Sequence, residues 1–271
     1  MGLRDFIPAP IKQYLKRQFL RFRHSFQLYD SAEKLSDDAT RFWRDIGSTK
    51  PAYGGVYHER GRGPFSRDED WHAIGKTHFR LFEAFARQAE LKRPVEHIME
   101  WGCGGGANAV VFAPEAQRFV GVDVSERVLQ ECERQMQEHG LHNFVPETVD
   151  VNDVESVASR YSQQIDLFLC TYVYEVLPTR EHGLRLLSAA HDMLKPGGMA
   201  LIQIKYETGD VATKSRPFNY IRNFARNTTF RIDEFWQEAR TRGFLPVGVY
   251  LVPHVPLIED GYYAYFALML V

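Results

Sequence analysis

The chain has 271 residues, 44% of them apolar and 25% charged, with a formal net charge of −2. That balance is globular, large enough for one α/β domain with an extension, and it carries no global signal for nucleic acid binding. Three cysteines, Cys103, Cys132 and Cys170, show no metal- or disulfide-type spacing, and no apolar run approaches the ~20 residues of a bilayer span, so a reducing, cytoplasmic setting is expected.

Residues 10–26 are predicted as a helix with proline in its first turn. Ile11, Leu15, Phe19, Phe22 and Phe26 share one face, while Lys12, Lys16, Arg17, Arg21 and Arg23 crowd the rest. The expectation is that the aromatic face packs on the protein or on a second subunit, which leaves an oligomer open. The alternative is that this basic amphipathic helix lies on an anionic membrane surface, making the protein peripheral there. Residues 31–46 read as a second helix, with Phe42 and Trp43 as packing residues. Residues 47–70 are full of turn formers yet carry Tyr53, Tyr57, His58, Glu59 and Arg60. A loop with such residues is expected to act as a lid or binding loop. Residues 71–91 form a third predicted helix, with Ile74, Phe79, Phe82 and Phe85 apolar.

The most informative stretch is 95–107. An apolar run closes on Glu100, and Gly102, Gly104 and Gly106 follow at alternate positions before a small-residue segment that starts a helix. This is a strand turning sharply into a helix. Glycine tolerates positive φ there and lets a ligand lie against bare backbone, while the helix points its free N–H groups at the same place. Alone, the motif also fits a dinucleotide fingerprint through Gly102, Gly104 and Ala107. A second strand, 118–124, ends at Asp123. Ser125 caps a helix over 126–139, and a third strand, 144–151, carries Asp150. A short helix over 154–161 precedes strand 165–173, nearly all apolar, as a strand covered on both faces should be. Thr179 caps a helix over 180–194. The turn Leu194-Lys195-Pro196-Gly197-Gly198 leads into strand 199–206. A polar, basic insertion spans 208–231, followed by a helix over 232–242 and two last strands, 245–252 and 262–270. Alternation of this kind predicts a parallel sheet with helices on both faces.

The glycine motif, Asp123, Asp150 and the Leu-Lys-Pro-Gly-Gly turn stand in an order and spacing that resemble the class I S-adenosylmethionine-dependent methyltransferases of small-molecule type. The resemblance covers residues 95–271. It implies an α/β fold, a seven-stranded, mostly parallel Rossmann-like sheet with an antiparallel last strand. Residues 1–90 would then be a mainly helical extension and lid, and residues 91–271 the cofactor-binding domain. It also implies that Asp123 binds the cofactor ribose and that Asp150 lies by the adenine amino group. Gly102, Cys103 and Gly104 would lie along the methionine part, with Glu100 orienting the loop or meeting the cofactor through water. Tyr57, Val124, Val151 and Thr171 complete the expected cofactor contacts.

Methyl transfer from a sulfonium is an in-line displacement in which placement supplies most of the rate. Aromatic faces stabilise the sulfonium cation, and Trp101, Tyr172, Tyr174, Tyr53 and Tyr57 are candidates. A hydroxyl acceptor also needs a base. His58, on the expected lid, is the first candidate and Glu175, after strand four, the second. His72, His78, His182, His191 and His254 rank lower, and no grouping has metal-ligand spacing, so no metal is expected. The Asn/Asp-Pro-Pro-Tyr/Phe motif of nucleic-acid amine methyltransferases is absent, which argues against a nucleic acid partner. In the insertion, Lys214, Arg216, Arg222, Arg226 and Arg231 alternate with Phe218, Tyr220 and Phe224. They either bind an anionic or sugar-like substrate or form a solvated segment with an aromatic packing face. The expected function is O-methylation of a small-molecule or glycan hydroxyl. Its alternatives are methylation of a lipid-soluble acceptor at a membrane surface, and a non-catalytic cofactor-binding partner protein.

Overall fold

In a computed structural model of the chain, described over residues 8–45, 59–92 and 94–271, seven strands form one sheet. They are β1 (His97–Trp101), β2 (Arg118–Asp123), β3 (Phe144–Thr148), β4 (Ile165–Cys170), β5 (Leu194–Lys205), β6 (Phe244–Val255) and β7 (Asp260–Leu270). Their order is β3-β2-β1-β4-β5-β7-β6. Pairings from β3 through to β5 are parallel, and β7 runs antiparallel to both β5 and β6. The strand order reverses between β1 and β4, so a crevice opens at their carboxyl ends.

The period of two along a strand builds two cores from one sheet. Every residue of β4 is buried. Phe168 and Cys170 join the core under α6 (Val154–Arg160), α7 (Arg180–Met193) and α9 (Ile232–Thr241), with Val157, Leu187 and Phe235. Leu167 and Leu169 join the opposite core, under α3 (Asp68–Gln88), α4 (Ala109–Phe112) and α5 (Glu126–Glu138), with Phe82, Phe112 and Met136. Two faces needing cover explain why this strand reads as an unbroken apolar run. At its start, buried Asp166 accepts the N–H groups of Glu96 and His97 at 3.2 and 2.9 Å and pairs with Lys195 Nζ at 2.9 Å. The lysine of the Leu-Lys-Pro-Gly-Gly segment thus ties β5 to the opening of β1.

Boundaries differ from the sequence reading where a site begins. β3 stops at Thr148, leaving Asp150 in a turn. β4 stops at Cys170, because Tyr172 adopts a left-handed φ of 59° that no strand accommodates. At the other end of the next strand, Leu194 to Gly198 belongs to β5 itself.

The N-terminal helices are α1 (Ala9–Ser25) and α2 (Ala32–Asp45). Leu35 and Ala39 of α2 pack on Tyr220 and Phe224 of the insertion, around the short α8 (Tyr220–Asn223). Phe42 stacks on Phe224 at 5.1 Å, and Trp43 Nε1 donates to the Tyr220 hydroxyl at 2.7 Å. The aromatic residues of the insertion are therefore a packing face. α3 approaches the glycine loop so closely that a Cβ on Gly75 would stand 2.1 Å from the Ala107 carbonyl oxygen. The expected packing of α1's aromatic face on the body is partial: Phe19 meets Phe218 edge-on at 6.2 Å, Phe22 and Phe26 stay exposed, and Leu20 alone of that helix is buried. Further anchoring contacts come from its basic side, where Arg17 pairs with Asp210 and Arg23 lies over the Phe218 ring. Among the described residues, no helix is long and apolar enough to cross a membrane.

Candidate functional site

A cavity of about 330 Å³ opens at the carboxyl ends of β1, β2 and β4. Its wall begins with the glycine loop. Gly102 and Gly104 have φ of 73° and 53°, which side-chain-bearing residues rarely adopt. A Cβ on Gly102 would meet Val173 Cγ2 at 2.3 Å, whereas one on Gly104 would meet nothing within 4 Å. Gly102 is thus required by packing, and Gly104 leaves open space over its backbone. The loop is pinned to β2 by the Gly102 and Cys103 N–H groups, both donating to the Val122 carbonyl at 2.7 and 3.1 Å.

Asp123 closes β2 and braces the loop. Its Oδ2 accepts the Gly104 N–H at 3.2 Å and its Oδ1 accepts the Ser125 N–H at 3.1 Å. Burial pushes its carboxyl up to about 6, and those backbone donors pull the other way. Val124 and Thr171 line the cavity, as do Asp150 and Val151. Asp150 is bridged to the N-terminal extension: its Oδ2 pairs with Arg44 of α2 at 2.6 Å.

Glu100 lies behind this wall. It is 2% exposed, and burial raises its carboxyl to about 8. Asn108 Nδ2 donates to Glu100 Oε1 at 2.5 Å and to Thr171 Oγ1 at 3.2 Å. The Asn108 amide oxygen must then accept from His78 Nδ1, 2.8 Å away. That fixes the neutral tautomer of His78, whose Nε2 accepts from the Tyr265 hydroxyl at 3.1 Å. Burial holds this histidine down at about 4. The network fixes the end of β1 against α3 and β7, and it acts by positioning the loop.

The far end of the cavity is built by the segment after β4. Tyr172 sits in the left-handed region, held by its N–H donating to Gln203 Oε1. Such backbone costs about 1–2 kcal/mol in a bulky residue and tends to occur where function needs it. Glu175 follows on a single 3-10 turn, Tyr174–Val176, and lines the cavity. It is 3% exposed, its Oε2 is buried with no hydrogen-bond partner among the described residues, and burial pushes it up to about 7 against the pull of Lys205. Lys205, at the end of β5, donates to Asp260 and to the Ala225 carbonyl. Asp260 and Tyr263 of β7 line the same end, and Trp43 of α2 also borders the cavity.

The structure brings Gly102, Gly104, Asp123, Val124, Asp150, Val151, Thr171 and Glu175 to one cavity, with Trp101 and Tyr172. Cys103 is buried with its thiol toward Cys132, and Tyr174 turns into the core against Phe230 and Phe235. Arg60 is spent on Asp68, Gln135 and Glu138. Tyr53, Tyr57 and His58 lie outside the described residues. Lys205, Asp260, Tyr263 and Trp43 were missed by sequence reasoning as site residues. Only Asp260 carried a signal, as an acid in the turn before the last strand.

Three buried carboxyls without a strong cationic partner have a consequence for stability. Unfolded carboxyls titrate near 4, whereas Asp123, Glu175 and Glu100 titrate at about 6, 7 and 8 in the fold. Raised folded-state values mean that their protonated forms stabilise the fold, and this stability is lost progressively as pH rises from about 4, ending near 6 for Asp123, near 7 for Glu175 and near 8 for Glu100. His78 acts oppositely, but only as pH falls from 6.5 toward 4. The cofactor-free chain is therefore expected to melt roughly 5 °C lower at pH 8 than at pH 6 by calorimetry. A flat or rising midpoint across that range would contradict these environments.

Comparison with known proteins agrees with this geometry. A family model described as a methyltransferase domain matches residues 99–200. The chain is 24% identical over 166 residues to a ubiquinone biosynthesis O-methyltransferase of Coxiella burnetii, covering 61% of this chain and 57% of that protein. Over 101 residues it is 30% identical to the protein of the same name from Photorhabdus laumondii, covering 37% of this chain and 39% of that one. The chain thus spans less than two thirds of the curated relatives it matches. Among solved structures, an S-adenosylmethionine-dependent methyltransferase from Clostridium acetobutylicum superposes with a TM-score of 0.54 at 12% identity, covering 69% of this chain and 89% of that one. One from Mesorhizobium loti gives 0.52 at 13% identity over 68% and 95%. A [4+2]-cyclase, SpnF, gives 0.52 at 18% identity over 70% and 79%, so the fold alone does not fix the reaction.

Family and fold imply S-adenosylmethionine as the cofactor, and the residues present fit it. Asp123 has carboxylate lone pairs beyond its two backbone bonds, suited to a pair of ribose hydroxyls. Gly104 leaves its backbone bare, and Val124, Val149 and Val151 give the apolar wall an adenine ring needs. With a methyltransferase-domain match over residues 99–200 and this strand order, the chain is similar in fold to S-adenosylmethionine-dependent methyltransferases.

Proposed function

We propose that the chain methylates a hydroxyl oxygen on a small, largely apolar, ring-bearing acceptor, with Glu175 as the general base. The observation that carries this is the unpartnered, buried Oε2 of Glu175 in the wall of the same cavity that Asp123 and Gly104 line. S-adenosylmethionine, when bound, supplies an electrophilic methyl group. Everything else is asked of the chain. A carboxylate that titrates near 7 can take a hydroxyl proton at neutral pH, and it is desolvated enough to be a better base than one in water. Nearby Lys205 favours its ionised form. Tyr172, Trp43 and Phe224 offer aromatic faces to a planar acceptor, and Val176 and Leu177 add aliphatic wall. This lining favours a small ring compound over a glycan. The O-methyltransferase names of the relatives support oxygen as the atom methylated. Three free, buried cysteines support a reducing, cytoplasmic setting.

The test is transfer of an isotopically labelled methyl group from S-adenosylmethionine to a panel of phenols and catechols with differing side chains. Label on an acceptor oxygen, located by NMR, is the expected result. Tight cofactor binding with no transfer anywhere in the panel would instead support the non-catalytic reading.

A further inference from the structure

α1 is mounted with its apolar side outward. Leu20, 2% exposed, marks the inner face. At 3.6 residues per turn, Lys16, Arg17, Arg23 and His24 share that inner side. Arg17 pairs with Asp210 at 2.7 Å and Arg23 lies 4.0 Å from the Phe218 ring centre. The opposite side carries Ile11, Leu15, Phe22 and Phe26, spaced by four, seven and four residues, with Tyr14 and Phe19 on its flanks. These remain open to solvent: Phe22 is 54% and Phe26 65% exposed. A soluble monomer rarely leaves so continuous an apolar strip uncovered.

The charge pattern says what covers it. No acid occurs between Ala9 and Ser25. Exposed Lys12 and Arg21 stand at the two borders of the apolar strip, where long aliphatic stems lie along apolar matter and raise their charges to a rim. The complementary surface is apolar within and anionic at its edge.

We propose that α1 docks in the plane of an anionic phospholipid surface, with Ile11, Leu15, Phe22 and Phe26 immersed and Lys12 and Arg21 on lipid phosphates. The helix is not a loose tether. Just after it, Asp30 donates its N–H to the Pro217 carbonyl at 2.9 Å and accepts the Asn219 N–H on Oδ2 at 2.8 Å. Asn219 lies in the insertion that α2 packs upon, and α2 supplies Ala39 and Trp43 to the cavity. Docking therefore fixes the cavity's orientation relative to the lipid and supplies a route for a lipid-soluble acceptor. The docking itself stands whether or not methyl transfer is observed.

The experiment is co-sedimentation of the full chain with vesicles of phosphatidylcholine alone and of phosphatidylcholine mixed with phosphatidylglycerol. Binding is expected to the mixed vesicles, weakened by high salt. The paired substitution Leu15→Ser and Phe22→Ser should lower partitioning at least about tenfold. Lys12→Glu with Arg21→Glu should do the same. Thermal melting, and S-adenosylhomocysteine affinity where the parent chain binds it, should be unchanged in all variants, showing that the body is intact. No binding to the mixed vesicles, or binding that survives both pairs of substitutions, overturns the proposal. So does a parent chain that sediments as a dimer, ignores the vesicles and becomes monomeric with the serines, since a second copy would then be the cover.

Discussion

Replacing Asp123 by alanine is expected to weaken S-adenosylmethionine binding at least tenfold, and nearer ~10²-fold, by titration calorimetry. The reason lies in what the carboxylate faces. Its bonds to the Gly104 and Ser125 N–H groups leave further lone pairs, and among the described residues no cation competes for them. A neutral cofactor hydroxyl bonded to a charged, desolvated acceptor gains ~1.5–3 kcal/mol per bond. Asparagine in its place keeps one acceptor oxygen and loses the charge, so it should fall between the two. The cofactor-free stability should move the other way. A carboxyl raised to about 6 by burial weakens the fold at pH 8, so the alanine chain should melt no lower there than its parent. Lost affinity with retained stability identifies a binding carboxylate; unchanged affinity would remove Asp123 from the cofactor site.

The placing of that acid at the cavity, like that of Gly102, Gly104 and Asp150, was legible in the sequence for a physical reason. The glycine loop, Asp123 and Asp150 are each fixed to a strand end by local backbone demands, so order and spacing report their place. Sheet alternation was equally plain, because β4 must feed two cores and reads as an unbroken apolar run. The acceptor half is assembled otherwise. Trp43, Glu175, Phe224, Asp260 and Tyr263 come from far-apart segments that meet only when α2 lies on the insertion and β7 returns beside β5. Little local marks them beyond the place of Glu175 after strand four and of Asp260 in the turn before the last strand. The insertion's alternating cations and aromatics left two readings open, and tertiary packing chose between them: Tyr220 and Phe224 went inward under α2. α1 misled for the converse reason. A stripe does not say which way it faces, and here the contacts with the body are an ion pair and a cation–π contact on the polar side, with most of the stripe outward.

The chemistry itself rests on Glu175, and glutamine at that position is expected to cut turnover ~10²–10⁴-fold while leaving cofactor affinity within about twofold. Glutamine keeps the length and one oxygen, so the turn at Tyr174–Val176 and the bond from the Thr228 N–H to the Glu175 carbonyl should persist. What disappears is the ability to take a proton. Before substitution, the rate should rise with pH through about 7, because burial has pushed the carboxyl to that value and only the ionised form is a base. In the glutamine chain that limb should vanish, leaving a low rate that is flat from pH 6 to 8. A purely structural role for Glu175 would lower the rate at every pH and keep the limb. An amine acceptor would behave differently again, since its own deprotonation would set the profile and the limb would survive the substitution. Turnover near the parent value with the limb intact would return the role of base to His58, the first candidate from the sequence.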